Sequence, residues 1–181
     1  LIGGDLIDSS SFELSQLSIL NQIKKPIYFI RGNHEYYIKD YQLKLSKLNQ
    51  FGITTLENSN LDINNINIIG VDDYQSSTEK LSTFFKLKDE NKFNLLLVHK
   101  PSIWIDVRDK VDLMLSGHCH NGQIFPFNLF VRIQFKFKFG LYNNNRNSFL
   151  YVSSGSGPWG PKMRLGTFNE VILFNLSPKK Y

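Results

Sequence analysis

Four histidines mark the places in this sequence where chemistry could be done: His34, His99, His118 and His120. Each stands where an apolar run gives way to a polar turn. "IYFI" leads into "RGNHE", "FNLLLV" is followed at once by His99, and "VDLMLSG" runs into "HCHNGQ". A single histidine is usually structural, satisfied by a neighbour. Four at strand ends point instead to metal or phosphate chemistry, because imidazole nitrogen is a good ligand for Zn²⁺, Mn²⁺ and Fe²⁺. Asp5 adds a carboxylate able to bridge two cations, and Asn33 adds a neutral carbonyl oxygen. The mixed Asp, Asn and His set reads as two divalent ions holding a bridging hydroxide, a pair that stabilises the attacking and leaving oxygens of phosphoryl transfer.

His118 and His120 alternate around Cys119, between Gly117 and Gly122. In extended chain, residues two apart point the same way. Across a sharp turn that glycine permits, they can reach two neighbouring ions instead. Cys119 has three readings: a zinc thiolate, a nucleophile paired with His, or a small packed residue. As the only cysteine it can form no intrachain disulfide.

These residues need elements to hold them. Helices are expected over 12–23, 37–51 and 78–87, with a short one from Pro101 to about Asp109. Strands are expected from "IYFI", "ITTLE", 61–63, "INIIGV", "FNLLLVH", "VDLMLSG", "SFLYVSS" and "EVILFNL" (170–176), with a turn at Asn64-Asn65. Alternating helices and strands early, then mostly strands, indicate a layered α/β domain whose polar clusters lie at the carboxyl ends of strands. The 181 residues, 41% hydrophobic and 20% charged, suit one domain, 1–181. A net charge of +5 mildly favours anionic partners without a stripe that would track nucleic acid. With no apolar run long enough for a membrane span and no basic leader, the expected location is cytoplasmic. The opening "LIGGDLIDSS" reads as a strand end entering a loop, so residue 1 is taken as an internal cut.

The sequence resembles the calcineurin-like metallophosphoesterases through "GDLID" (4–8), "GNHE" (32–35), "VHKP" (98–101) and "GHCHNGQ" (117–123), in that order. "SSGSGPWGPKMRLG" (153–166) further resembles a branch that includes small bacterial phosphodiesterases, some acting on lipid-linked phosphates. The resemblance implies a four-layer α/β/β/α sandwich with two mixed sheets, and a cofactor of two divalent ions (Mn, Zn or Fe). It implies that Asp5 bridges both ions, that Asn33, His99 and His118 complete one shell, and that His120 serves the other. His34 would contact the phosphate and protonate the leaving oxygen, while Asp8 and Glu35 would support the site. Two departures stand out. The family's leading Asp-x-His motif is absent, leaving the second shell incomplete, so the chain as given is expected to hold one ion well and to be weakly active or inactive, and Cys119 and Asn121 replace the usual Thr and Gly.

The implied reaction is metal-assisted hydrolysis of a phosphodiester or pyrophosphate, on a lipid-linked or nucleotide-containing phosphate. A nucleic-acid phosphoesterase and a nonenzymatic metal-binding scaffold are the alternatives. The stretch 124–140, "IFPFNLFVRIQFKFKFG", bears on the partner. Read as an amphipathic strand it is ordinary. Read as an apolar and basic lip beside the site it suits peripheral contact with the inner face of the plasma membrane. Lys162 and Arg164 are candidates for binding phosphate or a leaving group, or are simply exposed. The expected partner is a phosphorylated small molecule or lipid, not nucleic acid.

Overall fold

In the computed structural model, which describes residues 1–178, two β-sheets face each other between layers of helix. The larger has six strands in the order β3-β4-β5-β6-β8-β7. Here β3 is Ser59–Ile63, β4 Ile66–Val71, β5 Phe93–Val98, β6 Leu113–Ser116, β7 Gly140–Asn143 and β8 Phe149–Val152. The β4, β5, β6 and β8 strands run parallel, and antiparallel β3 and β7 close the edges. The smaller sheet pairs β1 (Ile27–Phe29) with β2 (Ile53–Thr55) in parallel, and Ile2 bridges to Phe29 on the other side of β1. This is the α/β sandwich that the sequence leads one to expect.

Strand alternation explains the layers. Ile68, Leu95, Leu97 and Leu113 point inward to meet Ile30 and Leu56 between the sheets. Their neighbours Ile69, Leu96, Val98 and Met114 point the other way, against Phe84 of α2 (Ser77–Leu87) and Trp104 and Val107 of α3 (Trp104–Val107). On the far side of the small sheet, Phe29, Ile27 and Ile53 meet Leu17, Ile38 and Leu48. Each fully buried aliphatic side chain contributes about 1.5–3 kcal/mol. Register is pinned by a polar ladder across three strands: Asn60 Nδ2 donates to Asn67 Oδ1 at 2.7 Å, and Asn67 Nδ2 to Asn94 Oδ1 at 2.9 Å. The hairpin turn falls at Asn64-Asn65, both left-handed, as two-residue hairpin turns require.

Helices stop and start where local chemistry dictates. α2 opens with a capping box in which Ser76 and Glu79 exchange hydrogen bonds. The expected helix over 37–51 is instead broken. A 3₁₀ turn (His34–Tyr37) is separated from α1 (Tyr41–Leu45) by Asp40 at φ 57°, and a second 3₁₀ turn (Leu48–Phe51) follows α1. Gly52 ends the series in the left-handed region. Residues 14–22 form a 3₁₀ rather than an α-helix.

Two strand expectations fail. Within 124–140, residues Phe127–Gln134 form a helix, α4. Its apolar residues recur at three-residue spacing, and the alternating "FKFKF" that suggested a strand lies only after it. The segment 170–176 belongs to no sheet. Both edges of β8 are already taken by β6 and β7, so no edge there is free to receive it. Glu170 anchors the segment instead, accepting from Ser154 N–H and the Tyr151 hydroxyl. The segment places Phe174 edge-on to Tyr151 and leaves Val171 and Leu173 exposed.

Candidate metal centre

Loops at the carboxyl ends of β1, β5 and β6 meet the Gly3–Asp5 loop in one polar corner. The donor atoms of Asp5, His99 and His118 lie within 4.8 Å of one another. His99 Nε2 is 3.1 Å from Asp5 Oδ2, 3.1 Å from Asn33 Oδ1 and 3.2 Å from His118 Nδ1. Four donors so spaced match the edges of a coordination polyhedron, which run roughly 3.0–3.4 Å for ligand distances near 2.1 Å. The donor set, two imidazoles with a carboxylate and an amide oxygen, therefore fits a divalent transition-metal ion.

The surroundings hold these donors in place. His99 Nδ1 lies 2.8 Å from the Gly3 carbonyl, which can only accept, so Nδ1 carries a proton and Nε2 faces the corner. Asp5 Oδ1 accepts from His34 N–H at 3.0 Å. Behind both stands Glu35, fully buried. Its carboxylate accepts from Gly32 N–H at 2.7 Å, Asp5 N–H at 3.0 Å and Ile7 N–H at 3.0 Å. It ties the "GDLID" and "GNHE" loops together. At Gly32 a Cβ would run into the Asp5 carboxylate, so only glycine allows this approach. Non-glycine residues at positive φ gather here too, at Asp5, His118, His120, Asn121 and Gln123. Strain of this kind persists where surrounding structure over-determines it.

Charge follows geometry. Burial works to raise the Asp5 carboxyl, but His99 and the other donors to it hold it below its ordinary range. Burial works to lower His99, but contact with Asp5 keeps it above the ordinary value. Burial, with His99 and Lys100 nearby, pushes His118 down to about 4, so its imidazole is neutral. Burial pushes Glu35 up despite its three N–H donors.

His120 occupies a second corner. Arg164 Nη1 donates to its carbonyl at 3.0 Å, and Nη2 lies 3.4 Å from His120 Nδ1. The same guanidinium donates to Ser154 O at 2.6 Å and Gly157 O at 2.8 Å, so Arg164 ties the "GHCHNGQ" loop to the 153–157 loop. The phosphate-binding reading of Arg164 gave no hint of this internal use. Lys162 is exposed. His34 is half-buried beside Asp5, its ring 5.6 Å from Tyr37. Asp8 is exposed and lines a cavity with Lys162 and Arg164. Cys119 is buried and its thiol donates to Phe137 O at 3.7 Å. Burial pushes that thiol up to about 11, which fits a packed residue better than a thiolate.

The family model for calcineurin-like phosphoesterases matches residues 1–122, which contain Asp5, Asn33, His34, His99, His118 and His120. The chain belongs to this family. Similar phosphoesterases include an uncharacterized metallophosphoesterase of Helicobacter pylori, 36% identical over 189 residues that take in 99% of this chain and 51% of the relative. Another, from Campylobacter jejuni, is 38% identical over 192 residues, 99% of this chain and 50% of that protein. A bovine transmembrane protein with a metallophosphoesterase domain is 32% identical over 194 residues, 94% of this chain and 44% of its own length. The chain thus spans about half the length of these relatives.

Proposed function

We propose that this site hydrolyses phosphoesters with two divalent cations, Mn²⁺, Zn²⁺ or Fe²⁺, acting on a phosphodiester or pyrophosphate attached to a lipid or nucleotide. The observation that carries the reading is the convergence of the Asp5, His99 and His118 donors, joined by Asn33. Bound there, divalent cations supply positive charge to the phosphoryl oxygens and make a water molecule more acidic. Asp5 presents one carboxylate oxygen toward His99 and holds the other against His34 N–H. His99 and Asn33 complete the first corner with His118. His120 serves the second ion, its backbone carbonyl held by Arg164. His34, beside Asp5 and partly open to solvent, holds the proton that the leaving oxygen takes. The bovine relative is a transmembrane protein with a domain of this kind, which favours a substrate at or near lipid.

Metal counting and turnover test this together. After incubation with Mn²⁺ and removal of excess ion, the protein should retain the metal. It should then hydrolyse an aryl phosphodiester, and lose that activity in chelator and as His99→Ala. Protein that holds two ions yet cleaves neither phosphodiesters nor pyrophosphates would overturn the reading.

A further inference from the structure

The helix that follows the metal loop is built inside out. In an ordinary surface helix the apolar stripe faces the core. In α4, Phe127 is 64% exposed, Phe130 65% and Ile133 85%. Spaced three apart, these residues share one face. The opposite side turns inward, where Asn128 and Val131 lie against Gly122. A Cβ on Gly122 would sit 2.4 Å from Asn128 Cα, so that backbone contact is close and fixed. The outward face is therefore held by the metal loop itself. Phe125 N–H donates to Leu165 O at 2.8 Å, which brings the exposed Met163 and Leu165 alongside.

Charge says what covers this face. From Leu113 to Asn169 the sequence contains no Asp or Glu, but six Lys and Arg, of which Arg146 faces Asp109 and Arg164 is taken up by backbone carbonyls. The chain's net +5 less these six leaves −1 for everything else. An anionic lipid surface answers the apolar face and the basic side chains beside it at once. Aromatic side chains insert at the boundary of headgroups and acyl chains while neighbouring Lys and Arg meet lipid phosphates. Lys136, which directly follows the helix-capping Phe135, and Lys162 on the neighbouring loop are exposed for such a contact. We infer that the Phe127–Ile133 face of α4 docks this domain onto an anionic membrane surface. The inference deepens the proposed function, because Phe135 lies edge-on to His118 at 6.0 Å and ties the docking helix to the first metal corner. A docked molecule would hold that corner near the headgroups.

Vesicle binding decides it, read without metal or substrate so that it stands apart from hydrolysis. Vesicles of phosphatidylcholine with phosphatidylglycerol should carry the protein in flotation, and vesicles of phosphatidylcholine alone should not. The double variant Phe130→Asp/Ile133→Asp should lower partitioning at least tenfold with its circular dichroism unchanged, and Lys136→Glu should lower it by a smaller factor. Trp159 is 58% exposed on the loop that Gln123 binds, and Trp104 is 2% exposed in the core. Brominated lipid should therefore quench only part of the tryptophan emission in the native sequence, and less in the double variant. The inference is overturned by failure to bind anionic vesicles, or by equal binding to neutral ones. It is also overturned by undiminished binding of the double variant, or by a dimer in solution that the double variant makes monomeric.

Discussion

The corner formed by Asp5, Asn33, His99 and His118 and the corner formed by His120 differ in what stands behind them. The first rests on Asp5 and on residues that follow strands β1, β5 and β6, with a buried carboxylate and a backbone carbonyl fixing its side chains. The second rests on two loops joined by one guanidinium that is shared among several carbonyls. Sites built on strand ends inherit the rigidity of the sheet. Sites built on loops are only as well placed as their cross-links. The first corner should therefore be preorganised and the second adjustable.

Glu35→Ala should break that contrast most severely. It strands three backbone N–H groups, each worth about 1–3 kcal/mol when buried unpaired, so a loss of about 3–5 kcal/mol is expected in urea denaturation. A loss under about 1 kcal/mol would mean the first corner does not depend on its brace. Next, His99→Ala should weaken Mn²⁺ retention by about 100-fold, since it removes the donor that all the others face. Arg164→Met should act on the second corner alone. Because Arg164 holds the His120 carbonyl, a fall of about tenfold in affinity for a second ion is expected, with the first unchanged, in a titration that resolves two sites. Equal weakening of both would show that the corners are one unit.

The smallest effect is in pH. In the metal-free protein, His99 is held above its ordinary value by Asp5. Below the unfolded value, near 6.5, it is charged in both states and the contact contributes fully. As pH rises through the higher folded value, the contribution is lost. Chelated protein should thus lose a modest amount of stability from neutral to alkaline pH. Mn²⁺ affinity should move the other way over the same window, because a proton on Nε2 competes with the ion. Denaturation and metal titration at matched pH check the two signs.

Much of the first corner was legible in the sequence because its parts are tied to strands. Apolar runs with abrupt polar ends located His99 and His118, and the "GNHE" pattern located Asn33 beside its bracing glutamate. Arg164 was noticed but its use was not, because a side chain that cross-links two loops leaves no periodic trace. The helix at 127–134 was hidden by the louder alternation of Phe and Lys after it. Asp40 broke the helix expected at 37–51 by adopting a left-handed backbone that its residue type tolerates but does not announce. The segment 170–176 has the pattern of a strand, yet its start is tied through Glu170 to Ser154 and Tyr151 rather than to a sheet edge.

The turn that carries the two imidazoles has a consequence for chemical ageing. Asn121 is followed by Gly122, the pairing in which an asparagine side chain cyclises most readily onto the next backbone nitrogen and then opens to aspartate or isoaspartate. In the fold, Gly122 N–H is already donated to Cys119 O at 2.8 Å, which withholds that nitrogen from attack. Deamidation at Asn121 should therefore be slow in the native protein and fast in urea, as peptide mass spectrometry after storage would show. Each event that does occur would set a new negative charge directly beside His120.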